Sequence, residues 1–238
     1  MHALDDPHAR PFARTAGALY LVIAAAGFFS ILWVPSRLIA PGDPAASLAL
    51  LAQRPSLFAA GVGGDVVMML AEVVLSVMLF AMFRPHGAVL ATAAMVARLM
   101  MAAVMAAMLL PQAAVLMLAT EGAAGLGAAQ RAGLAWTLAR MDAAGVWVWQ
   151  VFFTLHLWLL GALAWRSGAV PRLLAGGLAI GGTGYLVDSV RAFAFPEAPL
   201  LPALGGVLLT IVTLAEIGFA LWLIARGRVA APAPTLAS

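Results

Sequence analysis

What most constrains this chain is a recurrence: six times in 238 residues an apolar stretch reaches the length needed to cross a bilayer. A hydrocarbon core of about 30 Å takes roughly 20 helical residues. Stretches of that kind run over residues 15–34, 62–83, 88–118, 144–165, 170–192 and 202–225. Lipid offers a backbone no hydrogen-bond partners, so a spanning segment must be a helix or part of a closed barrel. The strict alternation of a membrane barrel is absent here, which leaves six α-helices. The composition agrees: 64% of residues are hydrophobic and 10% charged, against roughly 45–50% apolar and about 25% charged in soluble domains.

The sequence therefore predicts an all-α, polytopic membrane protein with three parts. Residues 1–13 form a polar N-terminal segment, 14–227 the six-helix transmembrane domain, and 228–238 a disordered tail rich in Ala and Pro. Arg10 and Arg14 precede the first stretch as they would in a secretory signal. Its apolar core is longer than the usual ~7–15 residues and ends at Trp33, Val34 and Pro35 without a small-x-small cleavage site, so it reads as a retained helix.

Arginine placement supplies an orientation. With the N-terminus in the cytoplasm, Arg10, Arg14, Arg84, Arg166, Arg172, Arg226 and Arg228 fall inside, and Arg37, Arg54, Arg131, Arg140 and Arg191 outside. The shortest turns, at Arg84 to Gly87 and Arg166 to Gly168, are inside, and short loops are where the positive-inside rule acts. Both termini are thus expected in the cytoplasm of a bacterial plasma membrane. In the longer outer connections, Asp43-Pro44 can cap a short helix through Leu48, Leu50 and Leu51 that stops at Pro55. Residues 127–141 read as a second helix on the outer leaflet, carrying Leu134, Trp136 and Leu138.

Some function classes fall away. The formal charge is +3 with no Lys/Arg-rich run, so no nucleic-acid partner is expected. Without Cys there is no thiolate metal site or cysteine nucleophile. Ten of the 12 Met residues lie in the second and third stretches, and Arg98, Met101 and Met105 share a helical face. Soft sulfur suits Cu(I), but Met is also the adaptable filler of apolar cores, and Arg98 would repel a cation there. No metal and no cofactor are expected. No hydrolase, zincin or P-loop motif is present, so an intramembrane enzyme ranks last.

The informative residues interrupt the apolar stretches: Asp65, Glu72, Arg98, His156, Asp188 and Glu216. At 1.5 Å per residue, Glu72, Arg98, His156 and Glu216 fall near the same depth on four helices. A charge at the bilayer centre costs ~2.5–3.5 kcal/mol on insertion scales, so the four are expected to share a protein interior. Arg98 is expected to pair with Glu72 or Glu216, and His156 to hydrogen-bond the other carboxylate. Asp65 lies two turns from Glu72 on the same face. Gly177, Gly181, Gly184 and Asp188 share a stripe that suits close packing, and Asp188 and Asp65 would border an aqueous path from outside.

Two readings follow. The cluster is a site that binds or translocates a small solute, an ion or a proton, or it is an internal tie in an accessory or scaffold protein. Beyond lipid, the expected partner is accordingly a small solute or a proton.

The chain resembles the bacterial six-helix membrane family known as domain of unknown function 4386. The likeness runs from Ala13 to Gly227 and is most specific at Ala13-Arg14-Thr15-Ala16-Gly17-Ala18-Leu19-Tyr20, Gly64-Asp65-Val66-Val67-Met68, Arg84-Pro85 and Arg98. It continues at Phe152 to Gly161 around His156, at Pro171-Arg172-Leu173-Leu174 and Gly184-Tyr185-Leu186-Val187-Asp188-Ser189, and at Glu216 to Gly227. The family often has Asp in place of Glu72 and Tyr in place of Phe80; the first exchange keeps a carboxylate and the second removes a hydroxyl. The resemblance implies six helices in a bacterial plasma membrane, and no activity.

Overall fold

A computed structural model describes residues 6–121 and 125–229. Among these, the regular structure is helical throughout: α1 (Arg10–Gly27), α2 (Pro35–Leu38), α3 (Pro44–Gln53), α4 (Pro55–Phe83), α5 (Ala88–Thr120), α6 (Ala128–Ser167), α7 (Arg172–Ala194) and α8 (Leu201–Ala225). Six spans are long and apolar enough to cross a membrane, the first running from Arg10 through α2 to Leu38. Most of the expected tail, residues 230–238, lies outside the described residues.

The spans pack in chain order around a ring, α4 on α5, α5 on α6, α6 on α7 and α7 on α8, and α1 closes it by touching both α4 and α8. Near the closure Arg14 Nε donates to the Ile224 carbonyl at 3.3 Å, and His8 Nδ1 lies 2.6 Å from the Val229 carbonyl. The two ends of the described chain therefore meet on one face, called here the terminal face. Six cylinders about 10 Å across, set in a ring, leave a gap of similar width at the centre. Large side chains must fill it, or it stays a cavity.

Local sequence sets how tightly each seam closes. α7 meets α8 through Gly177, Gly181 and Gly184: a methyl on Gly181 would lie 2.5 Å from the Val212 nitrogen, and one on Gly184 2.8 Å from Leu208 Cβ. Small residues let helix backbones approach where lipid gives no hydrophobic drive to associate. α6 ends on Gly168 at φ 64°, the left-handed cap that glycine adopts without strain. Arg84 to Gly87 make the matching turn between α4 and α5.

Two elements depart from regularity. After Gly27 the first span widens into a π-helical turn over Phe28–Trp33, with the Val34 N–H reaching back to the Phe29 carbonyl at 2.9 Å. Pro35 has no N–H to give the preceding turn, and the wider register absorbs that loss before α2 begins. The expected outer helix over 127–141 is helical, but it runs without a break into the fourth span as the 40-residue α6. No Gly-Pro or turn-forming pair separates the two parts, so nothing stops the helix between them. The other outer helix forms as expected: Asp43 Oδ1 accepts from the Ala46 N–H at 2.9 Å and caps α3.

Candidate functional site

Arg98 is the hub of the ring's interior. On α5 it is fully buried, and its Nε donates to Glu72 Oε2 of α4 at 2.5 Å. Nη1 reaches the Tyr20 hydroxyl of α1 at 3.0 Å and His156 Nε2 of α6 at 2.9 Å. The guanidinium also lies over two rings, 4.9 Å from the centre of Tyr20 and 5.5 Å from that of Phe153. Four helices thus converge on one side chain. Its second terminal nitrogen, Nη2, has no hydrogen-bond partner among the described residues.

The Arg98 contacts fix the state of His156. An arginine only donates, so Nε2 must accept, and Nδ1, 2.9 Å from the Ala94 carbonyl, must carry the proton. The ring is neutral and both nitrogens are occupied. His156 therefore does not hold the remaining carboxylate, as the sequence suggested; the arginine takes its lone pair first.

Glu216, on α8, is the carboxylate left without an arginine. Among the described residues its hydrogen-bond partner is Tyr185 of α7, whose hydroxyl donates to Oε2 at 3.4 Å, a long contact. Glu216 faces a cavity of about 460 Å³ whose wall also includes Glu72, Tyr20, Trp149, Phe153 and Tyr185. Trp149, Phe153 and Tyr185 form a mutual aromatic cluster with ring centres 5.1 to 6.0 Å apart. Met68, Met101 and Met105 complete the apolar lining.

A second polar layer lies further from the terminal face. Gln112 of α5 donates through Nε2 to Asp65 of α4 at 2.9 Å and to Asp142 of α6 at 3.1 Å. These three border a cavity of about 330 Å³ that shares Ile31, Met68, Met105 and Trp149 with the one at Glu216. Asp65 and Glu72 thus face successive chambers, as their two-turn spacing requires. Asp188 is elsewhere: it pairs with Arg191 at 3.0 Å and accepts from Gln150 at 3.4 Å, and it borders neither chamber. Among the described residues no three His, Asp or Glu side chains come close enough to share a metal ion.

Sequence reasoning missed Tyr20, Tyr185, Gln112 and Asp142. The tyrosines carried a signal. The chain has two, both inside apolar stretches rather than at the membrane interface where Tyr is enriched, and both bond to the charged cluster. Gln112 interrupts the third apolar stretch and was equally visible. Asp142 lies before the expected start of its span, and only the continuity of α6 brings it into the bundle.

The family model described as "Domain of unknown function (DUF4386)" matches residues 15–227. The chain belongs to this family. The match reaches into all six spans and includes each member of the DUF4386 chain's Arg98 cluster. A curated relative from Archaeoglobus fulgidus, named only as an uncharacterized protein, is 35% identical over 80 residues, which is 33% of this chain and 43% of that protein. The matched segment is thus less than half of the relative's length. No solved structure matches.

Proposed function

We propose that this protein binds a small solute, an ion or a proton at Glu216 and passes it between the membrane's two sides. One observation carries this reading: two carboxylates, Glu72 buried and Glu216 half-buried, line one cavity beside a single arginine, and that arginine holds only Glu72. A carboxylate within the hydrocarbon that lacks a fixed partner calls for a mobile one, either a proton or a cationic group. The outer chamber with Asp65, Gln112 and Asp142 then supplies the approach from the face opposite the termini. On the arginine distribution the termini lie in the cytoplasm of a plasma membrane, so that approach is extracellular.

The scaffold reading has an observation of its own, confined to part of the cluster. Arg98 bonds to both Glu72 and His156 and so ties α4, α5 and α6 together, and that half is an internal brace. Glu216 is the half that works.

The test is proton uptake by the full chain reconstituted in liposomes, read with an entrapped pH-sensitive dye, together with pH-difference infrared spectra of the carboxyl bands. The Glu216→Gln variant is expected to lose a protonating carboxyl signal and any flux. His156→Phe is expected to lower thermal stability and leave that signal. Retention of both signal and flux in Glu216→Gln would overturn the proposal.

A further inference from the structure

The chamber at Glu216 has a side entrance. α1 and α8 touch near the terminal face, where Gly17 is packed against the Ala220 carbonyl and Leu223. Beyond that contact they part. Ala24, Phe28 and Leu32 on the first span, and Thr213 and Ile217 on α8, line the chamber and are also exposed. Phe28 is 62% exposed and Leu32 60%. Large side chains that border a cavity and still keep most of their surface exposed stand at its mouth. Ala24 is the middle residue of the Arg10–Leu38 span and Thr213 the middle residue of α8, so the mouth opens at mid-depth, toward the hydrocarbon.

An entrance of that kind selects its visitors. A hydrated metal ion is insoluble in the medium the mouth faces. An anion that crossed it would meet Glu216. A neutral apolar molecule would leave the carboxylate without a counter-charge. What remains is a cation whose charge is wrapped in apolar surface, and the interior suits one: of its two carboxylates Arg98 holds Glu72, which leaves Glu216 in a wall shared with Trp149, Tyr185 and methionines. Aromatic faces with a nearby carboxylate are how organic ammonium groups are recognised. We propose that this site takes a lipophilic organic cation, a protonated or quaternary amine on an apolar body, admitted from the bilayer between α1 and α8. The inference rests on the reading of Glu216 as a binding group and names what it binds.

Its test uses tritiated tetraphenylphosphonium, with tetraphenylborate as an anion of the same shape, on the full chain in nanodiscs. The expected result is saturable phosphonium binding, a tenfold or greater loss in Glu216→Gln, and no saturable binding of the borate. Filling the mouth with Ala24→Trp, or from the other rim with Thr213→Trp, is expected to weaken phosphonium binding tenfold or more while leaving the infrared carboxyl signal of Glu216. Leu173→Trp, at a position 85% exposed and away from the mouth, should bind as wild type. Absence of saturable phosphonium binding, equal binding of the borate, or unchanged binding in both rim variants overturns the inference. If that happens while the Glu216 carboxyl signal persists, the binding reading survives and only the ligand class falls; loss of both sinks both.

Discussion

At the scale of single residues, Glu72 and Glu216 have the same chemistry and opposite situations. Glu72 is 3% exposed and held by Arg98, so neutralising it strands a buried guanidinium. Removing one partner of a buried ion pair costs about 3–5 kcal/mol, because the other is left uncompensated. Glu72→Gln should therefore lower thermal stability sharply in detergent unfolding scans, and so should Arg98→Leu. The double change Arg98→Leu with Glu72→Leu should cost less than the sum of its parts, because no lone charge remains. Glu216→Gln should leave stability near wild type, since its hydrogen bond to Tyr185 is long and a neutral amide is easier to bury. A Glu216→Gln variant destabilised as severely as Glu72→Gln would show that Glu216 is a brace too. The sequence placed all four ionisable groups at one depth, which counting along a helix permits. It did not decide which carboxylate Arg98 takes, because that depends on how the helices are rotated and seated against each other.

At the scale of elements, α7 is the most exacting. Three glycines press it against α8, and Gly161 and Gly182 close the α6–α7 seam, where a methyl on Gly182 would lie 2.8 Å from Leu157 Cβ. Gly181→Ala forces a backbone apart and should lower the unfolding temperature by several degrees. Gly206→Ala, on α8 with nothing within 4 Å of the added carbon, should raise or preserve it, since alanine favours a helix by about 1 kcal/mol over glycine. Equal effects of the two changes would refute the close-packing account. The stripe itself was legible as a period of three to four residues. Its partner was not, because a glycine stripe states that something approaches and leaves open which helix it is. The continuity of α6 was hidden for a different reason: Asp142 and Arg140 lower the apolar signal between outer helix and span without offering a stop.

For the whole molecule, the ring in chain order sets which spans border each chamber. The chain has no cysteine, so single cysteines report cleanly on access. Asp142→Cys, at the outer chamber, should react with a membrane-impermeant maleimide added to the face opposite the termini, and Leu75→Cys, fully buried in α4, should not. Reporter fusions after Ser238 and at Gly133 should give cytoplasmic and external signals respectively; the reverse pair would invert the proposed orientation. Sequence alone determined that six helices are long and apolar enough to cross a membrane, roughly where each runs, and that four ionisable groups sit at similar heights along four of them, because hydropathy and helical rise act along one chain at a time. Only the tertiary structure decided that Arg98 takes Glu72, that Arg98 and the Ala94 carbonyl occupy the two nitrogens of His156, that Glu216 is left facing a cavity, and that α1 and α8 part beside it. Those outcomes depend on relative rotation and on which seams glycine lets close, and such distances between helices are not written in the order of residues within any one of them.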